Sequence, residues 1–216
     1  MNTRLHKADN PKAPLIVLNS FGDEGEAVLK ALRAGKGKDF SMLVVSDMDW
    51  NRDLSPWVAP AVFKNDEPFG GKADGFLKEL VEQAVPDAVA ELGEKPEYMA
   101  IAGYSLAGLF ALYSLYRTDV FSRAASASGS FWFPGFLEFA SSHEFLKKPR
   151  RLYLSLGDRE AKTRNPVMST VQDNTEKLAG LCRSKGIDTV FELNPGNHFK
   201  DPDLRMAKGI RSILES

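Results

Sequence analysis

The chain has 216 residues, 43% of them hydrophobic and 26% charged, with a formal net charge of −1. That composition suits one soluble domain, 1–216, with a sizeable core, and its near-zero charge excludes a broad electrostatic footprint for nucleic acid. No run approaches the ~20 apolar residues of a membrane span, and no apolar leader opens the chain. The single Cys182 permits no internal disulfide, so a cytoplasmic location is expected.

Short apolar runs alternate with longer helical patterns, which predicts a mostly parallel sheet flanked by helices. Residues 1–14 are polar and are expected to form a flexible segment. Six strands are expected, at 15–19, 40–46, 97–103, 123–128, 150–156 and 188–194. Most are near-continuous hydrophobic runs, as strands covered on both faces require. Helices are expected at 25–34, 72–92, 107–117, 165–186 and 202–216, with a kink at Pro86. The stretch 47–71 has no regular pattern and is too long for a mere connector, which marks it as functional.

Residues 103–108 read Gly-Tyr-Ser-Leu-Ala-Gly, between the third expected strand and the helix that follows it. A G-x-S-x-G string in that context is a nucleophile elbow, which stands one hydroxyl, here Ser105, clear of the sheet. At these Gly and Ser frequencies the bare string arises by chance in about one such chain in ten, so its partners must carry the case.

A serine needs a base, and the base needs an orienting acid. Of three histidines, His6 lies in the polar N-terminus and His143 between the fourth and fifth strands. His198 follows the last strand, where open α/β sheets place their sites. The acid is then expected after the strand at 150–156, where Asp158 and Glu160 compete. Glu160 is preferred and Asp158 is the alternative. The oxyanion donors are expected to be the backbone N–H groups of Leu106 and of Phe21, with Ser20 the alternative to Phe21.

The elbow, Ser128-Gly-Ser-Phe-Trp132, Gly157-Asp-Arg-Glu160 and Pro195-Gly-Asn-His198 together resemble an esterase branch of the α/β-hydrolases. That branch includes esterase D, feruloyl esterases and enterobactin-type siderophore esterases. The resemblance runs from about residue 15 to residue 210. It implies Ser105 as nucleophile, His198 as base and Glu160 as the aligned carboxylate. It also implies an α/β-hydrolase fold trimmed at the N-terminus, beginning just before its third strand, and without a lid domain. The chain departs from many relatives in having Asn19-Ser20 where they carry His-Gly.

The aromatics of 47–57 and of Phe131-Trp132-Phe133 would wall a substrate pocket, with Ser20, Trp50 and Trp132 as substrate-binding candidates. Asp47, Asp49, Asn51 and Asp53 superficially resemble a calcium loop. Arg52 stands where the turn glycine belongs and Val58 where the bidentate Glu belongs, so that reading is rejected. No zinc ligand cluster and no phosphate-binding loop occurs, and neither metal nor cofactor is expected. The reading is a serine hydrolase acting on a small-molecule ester. The alternatives are a catalytically silent binding module on the same fold, or a thioesterase or amidase; oligomeric state is not legible.

Overall fold

The structure, a computed structural model, describes every residue except Lys36, Phe63, Asn65 and Ser216. In chain order its elements begin with β1 (Asn2–His6), β2 (Leu15–Asn19), α1 (Glu24–Arg33), β3 (Ser41–Ser46) and α2 (Trp50–Asp53). The two-residue strands β4 (Val58–Ala59) and β5 (Phe69–Gly70) come next. Then come α3 (Ala73–Glu79), a π-helical segment (Leu80–Ala84), α4 (Val85–Leu92), β6 (Met99–Tyr104), α5 (Leu106–Arg117), β7 (Arg123–Ala127) and α6 (Phe136–Ser142). The chain ends with β8 (Arg151–Gly157), a 3-10 turn (Met168–Thr170), α7 (Val171–Ser184), β9 (Asp188–Asn194) and α8 (Pro202–Leu214).

The main sheet has the order β1-β3-β2-β6-β7-β8-β9, parallel throughout except for β1. The six expected strands are all present within one or two residues of their expected ends. The seventh corrects the expectation that residues 1–14 are flexible. Asn2–His6 pairs along its whole length with β3, and so places one more strand ahead of β2 than the expected N-terminal trimming allowed. Its polar pattern hid it, because an edge strand with exposed side chains needs no hydrophobic run and is protected by charge. Arg4 and His6 both reach Glu26 on α1, at 2.8 and 3.0 Å.

Two helix ends also differ. Pro86 has no N–H to donate to the preceding turn, and the chain meets this with the π-helical segment just before it, so the expected helix at 72–92 is three joined pieces. The helix expected from 165 starts at Val171 after a 3-10 turn. Asn165 folds its side chain onto the N–H groups of Val167 and Met168 instead of entering the helix. Of the helix expected over 202–216, Ser216 lies outside the described residues.

Helices α1 and α8 cover one face of the sheet, over a layer that includes Ile16, Leu18, Met42 and Tyr153. The larger layer on the other face packs β2, β6, β7 and β8 against α3 to α7. At its centre runs α5, buried along its whole length except at Arg117, which is what an apolar surface all round a helix demands. The strand order reverses between β2 and β6. The loops leaving their carboxyl ends therefore diverge and open a crevice, the usual place for a ligand in such a sheet.

Phe110, fully buried on α5 with its ring 5.3 Å from that of Phe76, tests this core. Phe110→Ala is expected to lower stability by about 3–5 kcal/mol in urea titration. A loss below about 1 kcal/mol would show instead that the layer closes over the gap.

Candidate active site

Ser105 sits between β6 and α5 with φ 57° and ψ −122°, a conformation that costs a non-glycine residue energy. Its own backbone is held on both sides, Ser105 N–H donating to the Ala127 carbonyl at 3.1 Å and Ser130 N–H donating to the Ser105 carbonyl at 3.1 Å. The flanking glycines are required by contact. A Cβ on Gly103 would run into the Ala107 backbone, and one on Gly108 would lie 2.7 Å from the Ser126 hydroxyl. The turn is therefore as sharp as the sequence pattern implies, and the Ser105 hydroxyl is left at the crevice.

His198 lies in the loop between β9 and α8, its Nε2 3.1 Å from Ser105 Oγ. Its Nδ1 lies 2.8 Å from Glu160 Oε2. The structure thus brings Ser105, His198 and Glu160 into one hydrogen-bonded line. Asp158 is elsewhere: half-exposed, it accepts the Gly196 N–H at 2.8 Å and so braces the histidine loop. Of the other histidines, His6 pairs with Glu26, and His143 stacks on Phe139 at the end of α6 with its Nδ1 2.9 Å from the Phe139 carbonyl oxygen.

Glu160 is almost fully buried, with side-chain exposure of 5%. Its Oε1 accepts hydrogen bonds from Ser128 Oγ at 2.7 Å, from the Gly157 N–H at 2.5 Å and from Arg205 Nη1 at 3.3 Å. Burial pushes its carboxyl up, but the bonds from His198, Ser128 and Gly157 outweigh it and hold the group below its ordinary value of 4.5. Arg205, on the inward face of α8, also donates to the carbonyls of Asn197 at 3.0 Å and Pro195 at 2.9 Å. Tyr104 donates to the His198 carbonyl at 2.7 Å. Ser128 and Arg205 were not singled out for these roles from the sequence. Arg205 did carry a signal: an arginine beside Met206 and Ala207, one turn into an amphipathic helix and in phase with buried Gly209.

A cavity of about 170 Å³ opens onto Ser105 and Leu106, walled by Trp50, Trp132 and Phe69. Leu106 is the first residue of α5, and a first-turn N–H has no partner within its own helix. Ser20 and Phe21 line a neighbouring cavity of about 230 Å³ that shares the Trp50 wall. Phe21 packs edge-on against Trp50, with ring centroids 5.5 Å apart. Of the expected aromatic walls, Phe131 and Phe133 are core residues, and Trp57 donates to the Pro134 carbonyl. A cavity of about 640 Å³ lies at the amino ends of the parallel strands around Lys7 and Arg211, away from Ser105. Cys182 is buried in α7, and burial pushes its thiol up to about 12. Among the described residues no group of three His, Cys, Asp or Glu is placed to hold a metal ion, and no helix is long and apolar enough to cross a membrane.

A serine held at positive φ between a parallel strand and a central helix, within reach of a histidine from a later strand end, places the fold among the α/β-hydrolases. The sequence narrows this: residues 19–198 match the family model described as "Putative esterase", and the chain belongs to that esterase family. It is 21% identical over 137 residues to the uncharacterized protein YbbA of Bacillus subtilis, a match spanning 62% of this chain and 55% of that protein. In structure it is similar to an IroE-like serine hydrolase from Shewanella oneidensis. The TM-score is 0.79 at 18% identity, over 97% of this chain and 74% of the other. The siderophore hydrolase EstB from Aspergillus nidulans is also similar, with TM-score 0.72 at 22% identity, over 94% and 82% of the two chains.

The depressed Glu160 carboxyl has a sign that can be tested. An acid whose folded value lies below its unfolded value stabilises the fold above the unfolded value, and that contribution is lost as pH falls through the folded one. Stabilities of the natural chain and of Glu160→Gln, measured by urea titration from about pH 6 down to about pH 3, are therefore expected to converge. A pH-independent gap would show that folding does not favour the ionised carboxylate.

Proposed function

We propose that this esterase hydrolyses a small-molecule carboxylic ester through an acyl-enzyme on Ser105. The observation that carries the reading is the line from Ser105 Oγ through His198 to Glu160, at 3.1 and 2.8 Å. His198 Nε2 takes the Ser105 proton as Oγ attacks the ester carbonyl, and the Glu160 carboxylate stabilises the imidazolium that forms. The N–H groups of Leu106 and Phe21 receive the negative charge on the carbonyl oxygen. As the tetrahedral intermediate collapses, His198 gives the proton to the departing alcohol. Water then enters, loses its proton to the same nitrogen, and releases the acid.

Trp50 and Trp132 line the acyl side of this reaction, and Ser20 supports the loop that carries Phe21. The similarity to a siderophore hydrolase supports small esters of that kind as one substrate class to assay. The near-neutral charge argues against nucleic acid as a partner, and a lone buried cysteine is consistent with a cytoplasmic location.

Ser105→Ala and His198→Ala are each expected to lower kcat/KM on p-nitrophenyl acetate by about 10³-fold or more, because members of such a unit fail together. Both variants should keep the circular dichroism of the natural chain. Undiminished turnover in Ser105→Ala, or no labelling of Ser105 by a fluorophosphonate probe, would overturn the reading in favour of a silent binding module.

The two acids are expected to separate. Glu160→Gln should lose activity by about ten- to a hundredfold less than Ser105→Ala, and Asp158→Asn by under about tenfold, since it removes only a loop brace. A larger loss in Asp158→Asn than in Glu160→Gln would reverse the assignment.

A further inference from the structure

Between the first turns of α1 and α8 lies the cavity of about 230 Å³ that shares its Trp50 wall with the crevice. Its walls include Leu18, Phe21, Val28, Trp50, Tyr104 and Met206. The Tyr104 hydroxyl is already committed to the His198 carbonyl at 2.7 Å, which leaves its ring as apolar surface. Glu24 and Asp203 at the edge belong to helix first turns, where carboxylates answer the helix dipole. The side-chain polar atoms of Asn19 and Ser20 are closed off from any solvent-sized probe and present no surface to the cavity. What remains is an apolar space. An apolar cavity of about 150 Å³ accepts benzene, so 230 Å³ has room for an apolar group of about six to nine carbons.

Its two sides are the two segments that the proposed reaction uses. Residues 19–21 carry the oxyanion donor, and the opposite side is the start of α8, which begins four residues after His198. Tyr104, which precedes Ser105, lies between them with its ring 5.4 Å from that of His198. Each of these two segments also leaves a phenylalanine in water. Phe21 is 61% exposed, and Phe199 is 84% exposed with its ring edge-on to His198 at 5.3 Å. A ligand lying against them gains apolar burial that the free protein lacks.

We propose that this cavity holds the alcohol portion of the ester, and that this portion is apolar, a chain or ring of about six to nine carbons. The inference rests on the reading of Ser105 as the esterase nucleophile. The departing alcohol takes its proton from His198 Nε2, so it leaves on the histidine side of the site, which this cavity adjoins. The acyl portion turns the other way, past Trp50 towards Trp132 and Leu106. That second cavity is smaller, about 170 Å³, and is lined also by Asp66 and Glu67, whose carboxylates need water and disfavour a long apolar chain. Overall, ester and water give a small free acid and an apolar alcohol.

The test uses two isomers, hexyl acetate and ethyl hexanoate, which place the same carbons on opposite sides of the ester bond. After division by their hydroxide-catalysed rates, kcat/KM for hexyl acetate is expected to exceed that for ethyl hexanoate by about tenfold or more, since each buried CH₂ is worth about fourfold. In Ala27→Phe, which narrows the cavity from α1, the ratio is expected to fall towards one. Comparable hydrolysis of the two isomers by the natural chain, or a preference for ethyl hexanoate, overturns this inference and leaves the esterase reading standing. Both rates are read on the unaltered chain, so the result does not depend on the variant folding. If neither isomer is hydrolysed, saturation-transfer NMR with 1-hexanol separates the two readings. A signal that is lost in Ala27→Phe supports the apolar site and removes the esterase reading. A signal that is absent, or unchanged in the variant, overturns both.

Discussion

One buried carboxylate organises this end of the molecule. Glu160 carries a charge with almost no access to water, a position that is tenable only if every lone pair is matched. The matching reaches far along the chain: a hydroxyl from the end of β7, a backbone N–H from the end of β8, a guanidinium from α8 and an imidazole from the loop after β9. Three segments remote in sequence and the turn that carries Glu160 are thus tied to one side chain. Loss of either member of the buried Arg205–Glu160 pair leaves an uncompensated charge, a defect that typically costs about 3–5 kcal/mol. Arg205 does more than neutralise. Its second nitrogen holds the Pro195 carbonyl and its first the Asn197 carbonyl, so the cation paired with Glu160 also sets the loop from which His198 projects.

The strain at Ser105 has the opposite character. Nothing in α5 or β6 by itself favours φ 57° at a serine; the sheet imposes it. Ala127 takes the Ser105 N–H, Ser130 donates to its carbonyl, and the glycines on either side remove the atoms that would collide. Ser128, which donates to Glu160, is itself at φ 48° at the end of the next strand. Two adjacent strands therefore end in strained serines, one at the proposed point of attack and one supporting the acid. Such strain persists because the surrounding sheet over-determines it.

Much of this was legible in the sequence, and the failures have physical causes. Buried parallel strands advertise themselves as hydrophobic runs, so 15–19 coincides with β2. Asn2–His6 carries no such signal, because an edge strand is specified by its partner and not by its own apolar face. Phe131 and Phe133 read like Trp132 in composition, and only packing divides core from cavity wall. At the site, order along the chain located Ser105 and His198. The choice between Asp158 and Glu160 rests on a turn of three residues, in which the Glu160 side chain folds back onto the Gly157 N–H and faces inward. Arg205 was the least visible, since a cation on an apolar helix face has meaning only once the carboxylate it meets is known.

The charge around the crevice joins these observations. A reaction that develops an oxyanion gains from positive surroundings, yet the cavity that opens onto Ser105 is lined by Asp66 and Glu67 and by no described basic residue. In the proposed reaction the N–H dipoles of Leu106 and Phe21 must then hold the oxyanion against that field, helped by the imidazolium of His198.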